Sequence, residues 1–244
     1  MSGPITISAV THTGLVRRRN EDRAGVQCPE TTVVLDVEGA VRTTRSEGPV
    51  LVVVTDGMGG HPDGALAARI ALDVVFENVP VTRDDLVDAV HVANRSIYSA
   101  MDAVNRTMGT TLAAVLIDED GEVTVVNVGD SPVYEFRGGE LIERTVSDSV
   151  SPGDDPTGRQ SGVVTQALGG GRSHSDIRPH VYEDRPSRGC RLLICSDGLS
   201  GFVAEEQIVD VLTQWRGADA VTALLDRTLL ADAPDNVTIV LLEW

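Results

Sequence analysis

Two segments of the sequence share one form, in which an apolar run ends on a hydroxyl residue and is followed by Asp-Gly. They read Leu51-Val52-Val53-Val54-Thr55-Asp56-Gly57 and Leu192-Leu193-Ile194-Cys195-Ser196-Asp197-Gly198. Short continuous apolar runs of this kind are typical of strands that are buried on both faces. A fold for this chain must therefore cover two such strands on both sides and hold a carboxylate at the end of each.

The remaining periodic stretches place strands in long blocks and helices in two separate pairs. Strand-like runs occupy residues 5–10, 32–37, 50–54, 111–117, 123–128, 133–136, 163–168, 177–183, 191–195 and 237–242. Apolar residues at helical spacing predict helices around 66–75, 86–104, 208–215 and 221–229. Thr82 and Asp85 form a capping-box pattern before the second helix. This order argues against an alternating parallel sheet and predicts one α+β domain over residues 1–244, with packed sheets covered by outer helices.

The chain is strongly acidic, with 37 Asp and Glu residues against 20 basic residues and a net charge of −17. Such a chain repels nucleic-acid phosphates and anionic lipids, so we expect neither a nucleic acid nor a membrane surface as a partner. All 20 basic residues are arginines. The absence of lysine excludes Walker A, kinase and Schiff-base chemistry, because each of these depends on a lysine.

The cysteines Cys28, Cys190 and Cys195 are too few, and odd in number, for a disulfide framework. Cys195 lies within the second apolar run, which favours a buried core thiol over a reactive one. Residues 1–10 lack the pattern of a signal peptide, and no apolar run approaches the roughly 20 residues that span a bilayer. We therefore expect a soluble, cytoplasmic protein.

Further acidic residues lie beside predicted strands. Each of them taken alone fits a solvated turn, which is the usual place of Asp-Gly and Asp-Asn pairs. Taken together, they predict convergence on one site, where hard cations such as Mg²⁺ or Mn²⁺ offset the mutual repulsion of the carboxylates. The set comprises Glu21, Asp22, Asp56, Asp130, Asp197 and Asp235, with Arg17 close by in the sequence.

Competing catalytic motifs are absent from the sequence. The histidines do not form the paired helical spacing of a zinc hydrolase; they are His12, His61, His91, His174 and His180. No G-x-S-x-G elbow occurs. The glycine-rich stretch at 57–60 lacks the spacing of a dinucleotide-binding loop. The residues therefore favour the hypothesis of a metal-dependent site.

Seven motifs in order resemble the metal-dependent serine/threonine protein phosphatases of type 2C, the PPM family, in its bacterial branch. They are Gly14-Leu15-Val16-Arg17-Arg18-Arg19-Asn20-Glu21-Asp22, Asp56-Gly57-Met58-Gly59-Gly60-His61, Gly109-Thr110-Thr111, Val128-Gly129-Asp130-Ser131, Thr165-Gln166-Ala167-Leu168-Gly169, Ser196-Asp197-Gly198-Leu199 and Asp235-Asn236-Val237-Thr238. The resemblance implies a four-layer α-β-β-α sandwich of two antiparallel sheets flanked by pairs of helices. It places the cations at one edge, between the sheets.

The resemblance also implies roles for the acidic residues. Asp56 would bridge two cations, and the carbonyl of Gly57 would be a further ligand. Asp197 and Asp235 would bind the first cation, Glu21 would hold the second through water, and Asp22 would support the site. In bacterial relatives, the residues at the positions of Asp130 and Asp197 help to hold a third, weaker cation.

The implied reaction is the hydrolysis of phosphoserine and phosphothreonine in proteins by a hydroxide that bridges two Mn²⁺ or Mg²⁺ ions. No protein nucleophile is required in such a mechanism. Arg17 would bind the substrate phosphate, since its planar fork suits two phosphate oxygens. His61 is a candidate proton donor to the leaving group, or else an ordinary loop histidine. The implied partners are phosphorylated proteins and a cognate serine/threonine kinase, and we expect a monomer.

The sequence departs from the family pattern at three places. Pro132 stands where the family has Arg, and Gln166 stands where the family has Arg before Ala-Leu-Gly. The flap at residues 147–162 is shortened, and it begins with Ser147-Asp148-Ser149 in place of Asp-His-Ser. These departures keep two alternatives open, namely a weakly active phosphatase fold that serves as a regulatory or binding module, and a two-metal hydrolase of a small phosphoester.

Overall fold

The computed structural model describes residues 4–35, 38–58, 62–150, 163–186 and 189–244. The strands of this part are β1 (Ile5–His12), β2 (Arg23–Cys28), β3 (Thr31–Val34), β4 (Arg42–Ser46), β5 (Val50–Thr55), β6 (Gly57–Met58), β7 (Gly109–Thr110), β8 (Leu112–Ile117), β9 (Val123–Val128), β10 (Val133–Arg137), β11 (Glu140–Glu143), β12 (Leu168–Gly169), β13 (His180–Asp184), β14 (Arg191–Cys195) and β15 (Val237–Glu243). The helices are α1 (Pro62–Glu77), α2 (Arg83–Val104), α3 (Asp197–Ser200), α4 (Glu205–Gln214) and α5 (Gly217–Leu230). None of these helices combines the length and apolar character needed to cross a membrane.

The strands form two six-stranded antiparallel sheets and one small sheet. The first sheet has the order β11-β10-β14-β15-β1-β4, and the second has the order β13-β9-β8-β5-β2-β3. A short three-stranded sheet, β12-β7-β6, lies beside them. The two similar segments at 51–57 and 192–198, called the twin segments below, each supply an interior strand. The first contains most of β5 in the second sheet, and the second contains most of β14 in the first sheet.

The alternation of side chains along these interior strands explains the layers. In β5, Val50, Val52 and Val54 pack between the two sheets, whereas Leu51 and Val53 pack against α1 and α2. β14 behaves in the same way, with alternate residues directed between the sheets or toward α4 and α5. Because both faces of each strand are apolar and covered, the predicted α-β-β-α sandwich is confirmed.

The predicted start of α2 is confirmed in detail. The N–H of Asp85 donates to the hydroxyl of Thr82 (3.2 Å), and the N–H of Thr82 donates to the carboxylate of Asp85 (2.9 Å). These two bonds are the reciprocal pair of a capping box. The helix ends at Val104, and the capping residue Asn105 adopts a left-handed conformation with φ 51°.

One predicted strand is wrong, and others were missed. Within 163–168, only Val164, in an isolated bridge, and Leu168, the first residue of β12, pair with other segments, because the chain turns at Gly169 and Gly170, both at positive φ. β2 was missed although Ala24, Val26 and Cys28 alternate along it and all face the core between the sheets. Its hydrogen bonds to β3 and β5 define it in the structure. Of the predicted strand at 32–37, residues 36–37 lie outside the described part.

Candidate functional site

Acidic residues collect where strands of the two sheets begin or end. β5, β9 and β14 end at this edge of the sandwich, whereas β2, β8 and β15 begin there, because neighbouring strands run antiparallel. Side chains of the two sheets meet directly at this edge, since the hydroxyl of Ser196 donates to the carboxylate of Asp22 (2.8 Å). The acidic edge, as we call it, comprises Glu21, Asp22, Asp56, Asp130, Asp197 and Asp235.

Asp22 is the most deeply buried acid of this set, with 1% of its surface exposed. Its Oδ2 accepts the hydrogen bond from Ser196, but its Oδ1 has no hydrogen-bond partner among the described residues. Burial raises the pKa of Asp22 to about 7, and the charges of Asp197 and Asp235 add to the rise. Ionisation of Asp22 in the folded protein therefore costs free energy unless a positive group offsets its charge.

The carboxylates of Asp56 and Asp197, the acids of the twin segments, lie close enough together that the charge of Asp197 raises the pKa of Asp56. Both keep part of their surface open to solvent, yet desolvation is the largest cause of the rise in both pKa values. The pKa of Asp56 is raised well above its ordinary value, with further contributions from the charges of Asp22, Asp197, Asp235 and Asp130. The centre of the acidic edge is thus a point of strong carboxylate repulsion.

Arg17 supplies positive charge at the open side of the acidic edge. Its Nη2 lies 2.6 Å from Oδ2 of Asp235, and the side chain of Arg17 is 48% exposed. This hydrogen bond is the largest cause that raises the pKa of Arg17, and the charges of Asp56 and Glu21 act in the same direction. Arg17 therefore neutralises one carboxylate while its guanidinium stays accessible from solvent.

Two glycines allow Glu21 to reach this edge. A Cβ on Gly64, in the first turn of α1, would overlap the carboxylate of Glu21, and a Cβ on Gly57 would lie 2.8 Å from the carbonyl oxygen of Glu21. Any larger residue at either position would displace this segment. The position of Gly57 directly after Asp56 thus reflects a close approach of three chain segments.

The donor set suits a hard cation, although the side chains are not arranged around one. Every acidic group at this edge offers oxygen ligands, which Mg²⁺ and Mn²⁺ prefer, and the unpartnered Oδ1 of Asp22 belongs to the same cluster. Among residues 4–35, 38–58, 62–150, 163–186 and 189–244, however, no three His, Cys, Asp or Glu side chains are placed to ligate one ion. Arg17 and Asp235 form an ion pair at this edge, so a cation at Asp235 would compete with Arg17 for that carboxylate.

Comparison with protein families identifies this arrangement. The family described as protein phosphatase 2C matches residues 39–230 of the chain. The chain belongs to the protein phosphatase 2C family. The family resemblance that the seven sequence motifs predicted is thereby confirmed.

Bacterial members of the protein phosphatase 2C family are similar to the chain over most of its length. The serine/threonine protein phosphatase PstP of Mycobacterium tuberculosis is 31% identical over 225 residues, which cover 83% of this chain but 42% of PstP. The chain thus spans less than half of that relative. The protein phosphatase PhpP of Streptococcus pneumoniae is 27% identical over 214 residues, which cover 80% of this chain and 85% of PhpP.

Solved structures of the family share the fold. The serine/threonine phosphatase PstP/Ppp of Mycobacterium tuberculosis superposes with a TM-score of 0.78 at 27% identity, and the match covers 98% of each chain. A structure of the catalytic domain of PstP in complex with two manganese ions gives a TM-score of 0.77 at 27% identity, again over 98% of each chain. The sandwich of this chain is therefore the fold of these bacterial phosphatases.

The structure brings together the acids and Arg17 that the sequence singled out, whereas their roles as ligands stay predictions. His61, the candidate proton donor, lies outside the described residues. The flap at 147–162 is described only up to residue 150. Pro132, the departure after the Gly-Asp-Ser motif, lies immediately before β10.

Asn236 is a functional candidate to which the sequence analysis gave no role. Its Oδ1 accepts the N–H of Glu21 (2.8 Å), and its Nδ2 donates to the carbonyls of Thr13 (2.8 Å) and Arg19 (2.9 Å). One buried amide thus fixes both sides of the segment that carries Arg17. The Asp-Asn pair before β15 was the available signal, but its long-range partners could not be read from the sequence.

Hydroxyl groups beneath the acids were also missed. The N–H of Asp56 donates to the hydroxyl of Thr111 (3.1 Å), and the hydroxyl of Thr110 donates to the carbonyl of Asp56 (2.9 Å). On the other sheet, the N–H of Thr238 donates to the hydroxyl of Ser196 (3.0 Å). These bonds hold the backbone of the acidic edge in place, which limits the freedom of the carboxylates to separate.

Proposed function

We propose that this protein is a metal-dependent phosphatase that hydrolyses phosphoserine and phosphothreonine in proteins. The observation that carries the proposal is the acidic edge itself, where six acidic residues from both sheets meet beside Arg17 with too little positive charge to balance them. Membership of the protein phosphatase 2C family and similarity to bacterial serine/threonine phosphatases support the same reaction.

The residues of the acidic edge would hold two or three Mn²⁺ or Mg²⁺ ions. The family pattern assigns Asp56, Asp197, Asp235, Glu21 and the carbonyl of Gly57 to two of them, with Asp22 as support and Asp130 with Asp197 for a third. The bound cations would supply Lewis acidity that activates water and offsets charge on the phosphoryl group. The complex of PstP with two manganese ions supports this cation class.

Arg17 would bind the substrate phosphate. Its guanidinium is half-exposed and forms an ion pair with Asp235, a carboxylate that it can exchange for phosphate oxygens. A planar fork with two parallel N–H donors matches two oxygens of a phosphate. Asn236 would support this role, since it fixes the segment on which Arg17 lies.

We further propose phosphorylated proteins and a cognate serine/threonine kinase as partners, a monomeric state and a cytoplasmic location. His61 would donate a proton to the leaving group. The excess of acidic residues, with a net charge of −17, disfavours nucleic acid as a substrate.

A second candidate function is a binding module on the same fold. Two observations favour it: Pro132 stands where the family has Arg, and Arg17 is bound to Asp235. Such a module would bind its partner equally well with or without Mn²⁺, and Asp197→Asn would leave that binding unchanged. The phosphatase proposal predicts the opposite, because it requires Asp197 to hold a cation.

The deciding experiment is a hydrolysis assay on the purified chain after removal of metal with EDTA. We expect hydrolysis of a phosphothreonine peptide that rises with added Mn²⁺ and is faster than hydrolysis of a small aryl phosphate. Asp73→Asn, which alters an exposed carboxylate paired with Arg69, serves as the matched control. Absence of Mn²⁺-stimulated peptide hydrolysis would overturn the proposal, and a preference for the small phosphoester would move it to that substrate class.

A further inference from the structure

Asp148 binds three groups from other parts of the chain through one carboxylate. Its Oδ2 accepts hydrogen bonds from the N–H of Gly129 (3.0 Å) and from Nε2 of Gln166 (2.8 Å). Its Oδ1 lies 2.9 Å from Nε2 of His180. The side chain of Asp148 is 13% exposed, so these contacts are stronger than contacts on the open surface.

The backbone of Asp148 adds to these contacts. Its N–H donates to the carbonyl of Gly129 (3.0 Å), and its carbonyl accepts the N–H of Thr165 (2.7 Å). Two residues further on, the N–H of Val150 donates to the carbonyl of Val163 (3.1 Å). Asp148 is therefore the point at which both ends of the intervening segment join the turn that follows β9.

Gly129 depends on Asp148 for the position of its peptide groups. Its N–H and its carbonyl both bind Asp148, one through the carboxylate and the other through the backbone. Gly129 has φ +102°, and a Cβ there would lie 2.7 Å from Cβ of Thr111. The residue that follows this constrained glycine is Asp130, which lies within electrostatic reach of Asp197.

The partners of Asp148 are themselves held by the main chain. The amide of Gln166 is fixed by Arg178, whose N–H donates to Oε1 (2.6 Å) and whose carbonyl accepts Nε2 (3.2 Å). His180 is the first residue of β13 and pairs with Asn127 of β9. The carboxylate of Asp148 thus has a defined place rather than a choice of surface contacts.

Two departures from the family pattern meet in this cluster, since residues 147–149 replace Asp-His-Ser and Gln166 replaces Arg. We infer that Asp148, held by Gln166 and His180, is a positioning residue that fixes Asp130 for the third cation. This inference rests on the proposed function, in which Asp130 helps to hold that ion. It adds to that function a group that touches neither substrate nor ion.

The test is calorimetric titration of metal-free protein with Mn²⁺, compared between wild type and Asp148→Ala. We expect the weakest binding event to weaken by about 10-fold or more, as is typical when a residue behind a metal ligand is lost, while the tighter events stay unchanged. The Mn²⁺ concentration for half-maximal hydrolysis of a phosphothreonine peptide should rise in parallel, and kcat at saturating Mn²⁺ should change less.

Asp118→Ala is the matched control. Asp118 also binds two backbone N–H groups in a turn, those of Asp120 and Glu122 (2.9 Å each), but at the opposite end of β9. Asp118→Ala should lower the melting temperature without altering any Mn²⁺ binding event. Asp148→Asn keeps an acceptor for the N–H of Gly129 and should weaken the third Mn²⁺ binding event less than Asp148→Ala does. If Asp148→Ala does not fold, Asp148→Asn is compared with wild type instead.

The inference is overturned if Asp148→Ala and Asp148→Asn bind Mn²⁺ as wild type does, or if wild type binds only two ions. Its failure is distinguishable from failure of the proposed function, because calorimetry does not depend on catalysis. A wild-type protein that binds three Mn²⁺ ions without hydrolysing the peptide, and loses the weakest event in Asp148→Ala, would overturn only the proposed function.

Discussion

The two ends of the β8–β9 pair carry acidic residues in opposite physical states. At the hairpin end, Asp118 accepts the N–H groups of its neighbours in the turn, and Arg185 lies 2.9 Å from the carboxylate of Glu122. At the other end, Asp130 joins the acidic edge, where burial and the charge of Asp197 raise its pKa to about 6. Backbone N–H groups and Arg185 satisfy the first set, whereas burial and mutual repulsion raise the pKa values of the second set.

Acidic residues in turns and acidic residues in the candidate site differ in burial and in their partners. Both ends are rich in Asp and Gly, so composition alone does not distinguish them. What differs is burial and the origin of the hydrogen-bond partners of the carboxylates. The carboxylate of Asp118 binds N–H groups within four residues of it, whereas that of Asp22 binds Ser196 of the other sheet. Removing a charge should therefore have a large effect at the acidic edge and almost none at the exposed hairpin end.

Asp56→Asn should have the largest effect. Activity should fall more than about 100-fold, since loss of a residue behind a metal ligand alone costs about 10- to 100-fold. The melting temperature of the metal-free protein should stay equal or rise, because the substitution removes a repelling buried charge. Peptide hydrolysis and thermal unfolding measure the two effects.

Asp120→Asn is the matched change at the hairpin end, where Asp120 is exposed. It should leave both activity and melting temperature near those of wild type. If Asp56→Asn behaved like Asp120→Asn, the contrast between the two ends would be lost.

The stability of the metal-free protein should depend on pH because of Asp22. Folded Asp22 has a pKa of about 7 against an ordinary 3.8, so the folded protein binds more protons than the unfolded chain between these values. The free energy of unfolding of metal-free protein should therefore fall as pH rises from about 4 to about 7. Urea unfolding at several pH values should reveal this slope, with a smaller slope in Asp22→Asn. An unchanged slope in that variant would contradict the assignment.

Asn236→Ala should produce a moderate effect at the acidic edge. It leaves the N–H of Glu21 and the carbonyls of Thr13 and Arg19 without their partner, which should cost about 1–3 kcal/mol of stability. Because the same segment carries Arg17, KM for the phosphopeptide should rise as well. A loss of stability with KM unchanged would show that Asn236 stabilises the fold but does not affect substrate binding.

The smallest effect is expected for Arg185→Ala at the hairpin end. The pair with Glu122 is exposed on both sides, and such pairs contribute about 0–1 kcal/mol. Activity and Mn²⁺ dependence should not change. A clear loss of activity would show that the hairpin end is coupled to the site after all.

The sequence predicted those parts of the fold that depend on local patterns. The apolar runs of β5 and β14 and the capping box at Thr82 are all visible within a few residues, and each is confirmed. Whether β2 and the segment at 163–168 form strands depends on contacts with distant parts of the chain. Gly25 in β2, for example, lies so close to the ring of Phe76 that a Cβ would approach it to 2.7 Å, a constraint that no local pattern contains.

The candidate site divides in the same way. Acids at strand ends were found because a buried strand and an Asp-Gly pair are adjacent in sequence. The residues that hold them, such as Asn236 and Asp148, act through hydrogen bonds to segments far away in the chain. Side-chain amides and carboxylates occur in many turns, so their long-range partners appear only in the folded structure.

We expect the carboxylates of the acidic edge to bind cations jointly. Anomalous difference density from a crystal grown with Mn²⁺, measured at the manganese absorption edge, would locate these ions. We expect at least two ions in contact with Asp56, Asp197 and Asp235, and a guanidinium of Arg17 that has left Asp235. Absence of anomalous density from the acidic edge, with the contact between Arg17 and Asp235 intact at saturating Mn²⁺, would show that these carboxylates do not bind cations.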